Sequence, residues 1–361
     1  MKKVAILSCV NIKHMSLISL YTKILDEHNV KYDIIYMDKY GEDEEFACER
    51  KYRYVNKINQ KWPRFLKKVK YMTYYPYARY ILSKNKYDFV IVWNDLAIFM
   101  FANYLSKHYK GKYCLNVRDN MYYDSGRYKS MYDRCFNSSN FNTVSSRGYL
   151  SVLPKDPVYI QINSLNLSVL DGMQVHTAMR TKNEPIRIGF VGYVRYYERN
   201  QKLLKAFAND SRFELHYYGK NADVLKAFAE AEGIHNTVFF DSFPVADTAK
   251  YLQNVDIINN LYGNDTFNVR QAISIKFYHA LYSRIPMLVC PDTFIGKQAC
   301  ELGIGFYVDD DKIDVGMKES LYDRYHNIDF SNLNASCEKK LNEAIAENNI
   351  FEDIVIKTIC S

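Results

Sequence analysis

The chain has 361 residues, 48% of them apolar and 25% charged, a balance that excludes a mainly disordered protein and leaves length enough for two cores. Two values depart from the ordinary. Tyrosines number 33, and the net charge of +7 divides into +12 on residues 1–170 and −5 on residues 171–361. A basic half and an acidic half are expected to meet different partners, the basic one an anionic surface or substrate.

The start, Met1 to Cys9, has too short an apolar run for a signal peptide. No run of about 18 apolar residues exists to span a membrane. The nearest, Phe89 to Leu105, is broken by Asn94 and Asp95. Eight cysteines are scattered without a Cys-x-x-Cys pair, so buried reduced thiols of a cytoplasmic protein are expected, not disulfides or a zinc site.

In chain order, residues 3–10 read as a buried strand. A helix-period pattern follows through Met15, Leu17, Ile18, Tyr21, Ile24 and Leu25. Strands are predicted at Tyr32–Met37 and Asp88–Trp93, then a helix from Asn94-Asp95 to about Tyr109, then strands at Lys112–Val117, Asn142–Val144 and Val158–Ile162. Residues 168–185 keep no period and read as an interdomain connection. Alternation then restarts: strand Ile186–Val191, helix Gln201–Ala208, strand Phe213–Tyr218, helix Val224–Glu232 stopped by Gly233, and strand Val238–Phe240. A short helix Thr248–Leu252, strand Asp256–Asn260, helix Ile273–Tyr282 and strand Pro286–Cys290 follow, with a last helix at about Ala335–Asn348. Such alternation predicts parallel sheets covered on both faces. The expected organisation is residues 1–167, linker 168–185, residues 186–334, and a C-terminal helical segment 335–361 that returns to the first domain.

The second half carries a recognisable ordered set. Ile188-Gly-Phe-Val-Gly-Tyr-Val-Arg195, with Asn200 and Leu203-Leu-Lys-Ala-Phe207 after it, resembles the strand–loop–helix that opens the nucleotide-binding domain of GT-B glycosyltransferases. Leu215-His-Tyr-Tyr-Gly219 is similar to the next strand and its terminal glycine. Val238-Phe-Phe-Asp-Ser-Phe-Pro244 resembles the base-binding loop, and Ser274-Ile-Lys-Phe-Tyr-His-Ala-Leu281 with Arg284-Ile-Pro-Met-Leu-Val289 is similar to the Ser-Lys-Leu-Tyr-Glu…Pro-Val segment of the group-1, family-four-like enzymes. In the first half, Asn116-Val-Arg-Asp119, Val144-Ser-Ser146 and Ile160-Gln-Ile-Asn163 match the acceptor domain more loosely. The resemblance covers residues 186–308 well and 1–165 weakly. Gln271 and His279 stand where two glutamates eight residues apart are common, Arg118 where a histidine is frequent, and Ser8 to His14 lacks the usual glycines.

The resemblance implies a GT-B fold, two doubly wound Rossmann-like α/β domains facing each other across a cleft. It implies transfer of a sugar from a nucleotide-diphosphate donor to a glycan or polyprenyl-linked acceptor in bacterial capsule, exopolysaccharide or O-antigen synthesis. Retention of configuration is the first expectation, and the residues leave inversion open. A nucleotide-sugar epimerase on the same fold, or a non-catalytic glycan-binding relative, are the alternatives. No cofactor is implied beyond the donor itself.

A departing diphosphate needs cations and N–H donors. Arg195 and Lys276 are the candidates, with Gly192 opening the loop and Arg199 and Lys202 in reserve. His279 is a candidate for the nucleotide ribose and Phe243 for the base. Asn268 and Ser274, with Asn264 and Asp265, are candidates for sugar hydroxyls in a polar loop after a strand. An acceptor base would be Asp119 or His14. Asp309-Asp310-Asp311 reads as a solvated acidic loop and no metal is expected. Residues 50–80 hold ten Lys/Arg, seven Tyr, one Trp and no acid, which suits an anionic membrane surface at the inner face of the cell membrane. An extended surface arm is the plainer reading, and nucleic acid is not expected because no binding motif accompanies the patch.

Overall fold

Continuous apolar runs become buried parallel strands here, because strands covered on both faces need no polar side. The computed structural model describes every residue except Met1, Ser16, Gln60, Met121, Asp310 and Asp311. It divides the chain into Met1–Asn163 with Ala346–Ser361, and Ser164–Ile345.

The first unit is built from β1 (Val4–Ser8), α1 (Ile18–Glu27), β2 (Tyr32–Asp38), β3 (Arg50–Val55), α2 (Arg64–Met72), α3 (Tyr74–Asn85), β4 (Phe89–Trp93), α4 (Asp95–His108), β5 (Tyr113–Val117), α5 (Lys129–Asn137), β6 (Phe141–Val144) and β7 (Tyr159–Gln161). Its sheet runs β3-β2-β1-β4-β5-β6-β7, every neighbouring pair parallel. The first strand stops at Ser8, whose hydroxyl accepts from the Val10 N–H and closes a turn. Residues 50–80 do not form an extended arm. They give the edge strand β3, paired with β2 from Asp33↔Arg50 to Asp38↔Val55, and two helices.

The second unit holds β8 (Ile186–Val191), α6 (Tyr197–Ala206), β9 (Phe213–Tyr218), α7 (Ala222–Ala231), β10 (Thr237–Phe240), α8 (Thr248–Leu252), β11 (Ile257–Asn260), α9 (Phe267–Gln271), α10 (Ile275–Ser283), β12 (Met287–Val289), α11 (Phe294–Glu301), β13 (Gly305–Tyr307) and α12 (Val315–His326). Its sheet order is β10-β9-β8-β11-β12-β13, again parallel throughout. Leu170 and Met173, in the aperiodic stretch after residue 167, are buried in this unit's core with Val255, Ile258 and Leu281. Arg187 donates twice to the buried carboxylate of Asp256, at 2.9 Å each.

The last helix, α13 (Phe330–Val355), starts five residues before the expected Ala335. From Ala346 onward the chain belongs to the first unit. Phe351, Val355 and Ile359 enter that unit's core, Phe351 edge-on to Tyr21 with ring centroids 4.8 Å apart. Arg147 pairs with Glu347 at 2.9 Å, and the Asn163 N–H donates to Asn348 Oδ1 at 2.8 Å.

In both sheets the strand order reverses beside the first strand, between β1 and β4 and between β8 and β11. Open parallel sheets bind ligands outside the carboxyl ends of their strands at that reversal. Two rims therefore need description.

Candidate functional site

The rim of the second unit begins at a close approach of two backbones. Gly192 follows β8 with φ +119°, and its N–H donates to Tyr218 O at 2.8 Å. Gly219 follows β9 with φ +132°, and a Cβ there would fall 2.0 Å from Gly192 O. Nothing lies within 4 Å of where a Gly192 Cβ would stand, so the first glycine faces open space while the second is required by its neighbour.

The loop after Gly192 carries Arg195, exposed, its guanidinium over the Tyr193 ring at 4.9 Å. A chain of amides holds this loop. Asn200 Nδ2 donates to Arg195 O and Tyr196 O at 2.9 and 3.0 Å, and Asn259 Nδ2 on β11 donates to Asn200 Oδ1 at 2.9 Å. The Asn259 carbonyl in turn accepts from Lys276 Nζ at 2.9 Å. Lys276 is 3% exposed. Its ammonium lies 3.0 Å from the centroid of the Phe190 ring and 5.3 Å from that of Tyr262. Burial pulls its pKa well below the ordinary lysine value, and the Arg195 charge adds to this.

One turn along α10, His279 is 7% exposed and neither ring nitrogen has a hydrogen-bond partner. Burial, with Lys276 second, pushes it down to about 4, so at neutral pH the ring is uncharged with one N–H and one acceptor nitrogen to offer. Buried polar atoms without partners are uncommon and ask for an explanation. Ser274, the N-cap of α10, donates its hydroxyl to Asn260 Oδ1 at 2.7 Å. Gly192, Arg195, Ser274 and Lys276 thus belong to the β8–β11 rim, and His279 stands one turn along α10 from Lys276.

Other candidates go elsewhere. Phe243 is half-buried against Tyr251, ring centroids 4.3 Å apart, and Tyr251 continues to Tyr218 at 5.0 Å. It packs in an aromatic cluster beside the ends of β9 and β10. Asn268 lies on α9, a five-residue helix capped by the Thr266 side chain. Arg199 pairs with Asp265 at 2.6 Å, and both line a polar cavity of about 430 Å³ with Lys202, Asn264 and Asp309. That cavity includes neither Lys276 nor His279. Asp310 and Asp311, the rest of the acidic triplet, lie outside the described residues. Among the described residues no three His, Cys, Asp or Glu side chains are grouped to hold a metal.

The rim of the first unit is built on carboxylates. Asp38 at the end of β2 is fully buried and accepts from Asn11 Nδ2 at 2.8 Å, from the Tyr40 and Gly41 N–H groups, and from Arg53. Burial opposes its charge, but these donors hold it down at about 2. Glu44 takes the N–H groups of Ile12 and Lys13 at 2.9 and 2.8 Å. The glycine-free first loop is therefore tied by side chains. It presents His14 at the surface, Nε2 3.0 Å from Tyr40 Oη.

Asp119 follows β5 and is exposed, yet desolvation raises its carboxyl against the pull of the adjacent Arg118 charge. Its backbone N–H donates to Asp95 Oδ2 at 2.8 Å, and Tyr123 donates to Asp95 Oδ1 at 2.7 Å. Burial first, and the Asp119 charge second, push Asp95 up to about 8. Asp95, Asn259 and Tyr262 were not singled out in the sequence for these roles. Asp95 reads there only as a helix start, and nothing in the Ile-Ile-Asn-Asn of β11 marks one of its two asparagines for a distant partner.

No protein-family model matches the chain, and no curated protein matches it. Solved structures do. A sucrose-phosphate synthase from Thermosynechococcus elongatus superposes with a TM-score of 0.69 at 12% identity, over 99% of each chain. HepE of Anabaena, in complex with UDP, gives 0.63 at 9% identity, over 99% of this chain and 100% of its own. A putative UDP-N-acetylglucosamine 2-epimerase from Listeria monocytogenes gives 0.61 at 13% identity, over 99% and 96%. With its two all-parallel Rossmann-like sheets, the chain has the GT-B fold.

Proposed function

We propose that this protein is a glycosyltransferase whose second unit binds a nucleotide-diphosphate sugar and whose first unit binds the acceptor. The observation that carries this reading is His279, buried with both ring nitrogens unpartnered beside Lys276. Lys276 feels the charge of Arg195, which is exposed on the loop that Gly192 opens onto free space. A donor supplies what these groups lack: hydroxyls for the imidazole and a diphosphate for the cations. The likeness to a protein solved with UDP supports the same reading at the level of fold.

In the proposed reaction the anomeric carbon leaves the oxygen of the terminal phosphate and bonds to an acceptor hydroxyl oxygen. The electron pair of the broken bond stays with the diphosphate, whose charge Arg195 and Lys276 stabilise. The hydroxyl proton passes to the departing phosphate in a retaining enzyme. In an inverting one it passes to a base on the first rim, for which Asp119, with its raised carboxyl, and His14 are the candidates. No resident metal is needed in this scheme, since the two cations meet the phosphate charge. We place the acceptor among glycans or polyprenyl-linked sugars of bacterial surface polysaccharides, made on the cytoplasmic side, on the strength of the sequence resemblance.

A thermal-shift and calorimetric panel of UDP, GDP, CDP and ADP tests the donor site. One nucleotide should stabilise the protein, and a lack of response to all four at millimolar concentration would remove the basis of the proposal. The likeness to a putative epimerase keeps a second reading in view. Incubation with the matching nucleotide sugar, followed by NMR, separates the two: a changed sugar configuration with no acceptor present means an epimerase.

A further inference from the structure

The basic, aromatic stretch of the first unit contains a helix that is inside out. On α2, Phe65 is 70% exposed, Val69 52%, Met72 46% and Leu66 43%. These positions share one face at helical spacing. The opposite face, turned to the protein, carries Lys67 and Tyr71, both partly buried, with Lys39 Nζ 5.0 Å from the Tyr71 ring centroid. Asn56 Nδ2 donates to Lys70 O at 2.8 Å and fastens the helix to the end of β3. A helix that stabilised only its own domain would turn its apolar stripe inward. Here the stripe is presented to the outside, and the adjoining Trp62 is also exposed, at 38%.

Charge says what covers it. Lys68 and Lys70 flank the stripe, Lys61 precedes it, and none of the three has an ion pair among the described residues. No acidic residue occurs from 50 to 87. Aliphatic side chains ringed by lysines, with a tryptophan at the edge, match the acyl–headgroup boundary of an anionic bilayer. A nucleic acid would neutralise the lysines but leave Leu66, Val69 and Met72 without a partner. A second copy, docked two-fold on the same patch, would bring lysines against lysines.

We propose that α2 is a membrane-docking helix, lying in the interface plane of an anionic lipid surface with Phe65, Leu66, Val69 and Met72 inserted. The donor chemistry plays no part in this, so the two proposals stand or fall separately.

The test uses the full chain and vesicles of phosphatidylcholine with or without phosphatidylglycerol. Trp93 is 1% exposed and is the only other tryptophan, so a blue shift of emission on binding reports Trp62. The protein should sediment with the anionic vesicles, show that shift, and lose binding as salt rises past about 0.1 M, where the Debye length is ~10 Å. The double variant Phe65→Asp/Val69→Asp should bind at least about tenfold more weakly and lose the shift. Its melting temperature should not fall, because both side chains face outward. Lys68→Glu/Lys70→Glu should lose the preference for anionic lipid.

Any of three results would overturn the proposal. One is no sedimentation at low salt, and another is undiminished binding by the Phe65/Val69 variant. The third is a different occupant: a dimer in sedimentation velocity that this variant abolishes, or oligonucleotide binding tighter than vesicle binding and untouched by it.

Discussion

Replacing Lys276 by methionine separates a functional cation from a structural strut. Lys276 has one acceptor, Asn259 O at 2.9 Å, and is 3% exposed against the Phe190 ring. Losing that charge-assisted hydrogen bond costs about 1.5–3 kcal/mol. Removing a buried charge returns several kcal/mol of desolvation, which is why apolar replacements of buried ions are often neutral or stabilising. Methionine keeps most of the volume, so the two contributions should nearly cancel and Lys276→Met should melt within a few degrees of the wild type. Binding is another matter. If the amine meets a diphosphate, about 1.5–3 kcal/mol of that contact disappears, which is ~10- to 150-fold in affinity. The pH dependence adds a signature. A depressed lysine pKa means the folded protein holds fewer protons here than the unfolded chain, so this contribution is lost as pH falls and recovered as pH rises toward the ordinary lysine value. Wild type should therefore gain stability relative to Lys276→Met between pH 7 and pH 9. Denaturant melts at the two pH values, with titration calorimetry of the nucleotide that binds, measure both. A loss of more than about 2 kcal/mol at pH 7 with unchanged nucleotide affinity would show a strut and refute the reasoning.

Gly219→Ala should cost at least about 1–3 kcal/mol, since its Cβ would meet Gly192 O at 2.0 Å and its φ is +132°. Nucleotide affinity should fall with it as Gly192 is displaced. Gly233→Ala, with φ +65° and nothing within 4 Å, is the control for strain alone. Asn259→Ala removes the link between Asn200 and β11 and should cost about 1–3 kcal/mol. It should also weaken nucleotide binding, and the effects of Asn259→Ala and Asn200→Ala should be non-additive in a double-mutant cycle because they share one interaction. Asp95, raised to about 8 by burial, contributes stability that is full below its unfolded pKa and lost as pH rises through the folded one. Asp95→Asn should therefore become the more stable protein above pH 8, and equal pH profiles of melting for the two would contradict the assignment.

Much of the fold was legible along the chain. Ile186–Val191 and Phe213–Tyr218 are bounded in the structure at the expected residues: each is dominated by apolar and aromatic side chains, broken only by Arg187 in the first and by Glu214 and His216 in the second, as suits strands of a sheet covered on both faces. β3 was not legible: Arg-Lys-Tyr-Arg-Tyr-Val is an edge strand paired with β2, with one side open to water, and it reads as a charged arm. Helices α5, α11 and α12 likewise went unread.

The rim followed the same division. Gly192, Arg195, Ser274, Lys276 and His279 were named from residue type and order, since a turn glycine and cations after strands carry their chemistry locally. That Arg199, Lys202, Asn264 and Asp265 line a separate cavity was not visible, because one-dimensional neighbours of a loop can leave it on different sides.

By itself the sequence determined the alternation of strand and helix, the basic character of residues 50–80, and the small set of groups able to meet a phosphate. Only the tertiary structure decided that Lys276 is buried on Phe190, that Asn200 and Asn259 meet across 59 residues, and that α2 turns its apolar stripe outward. Periodicity states which residues share a face. What that face packs against is set by contacts between residues far apart in the chain, and those contacts exist only once the sheets have formed.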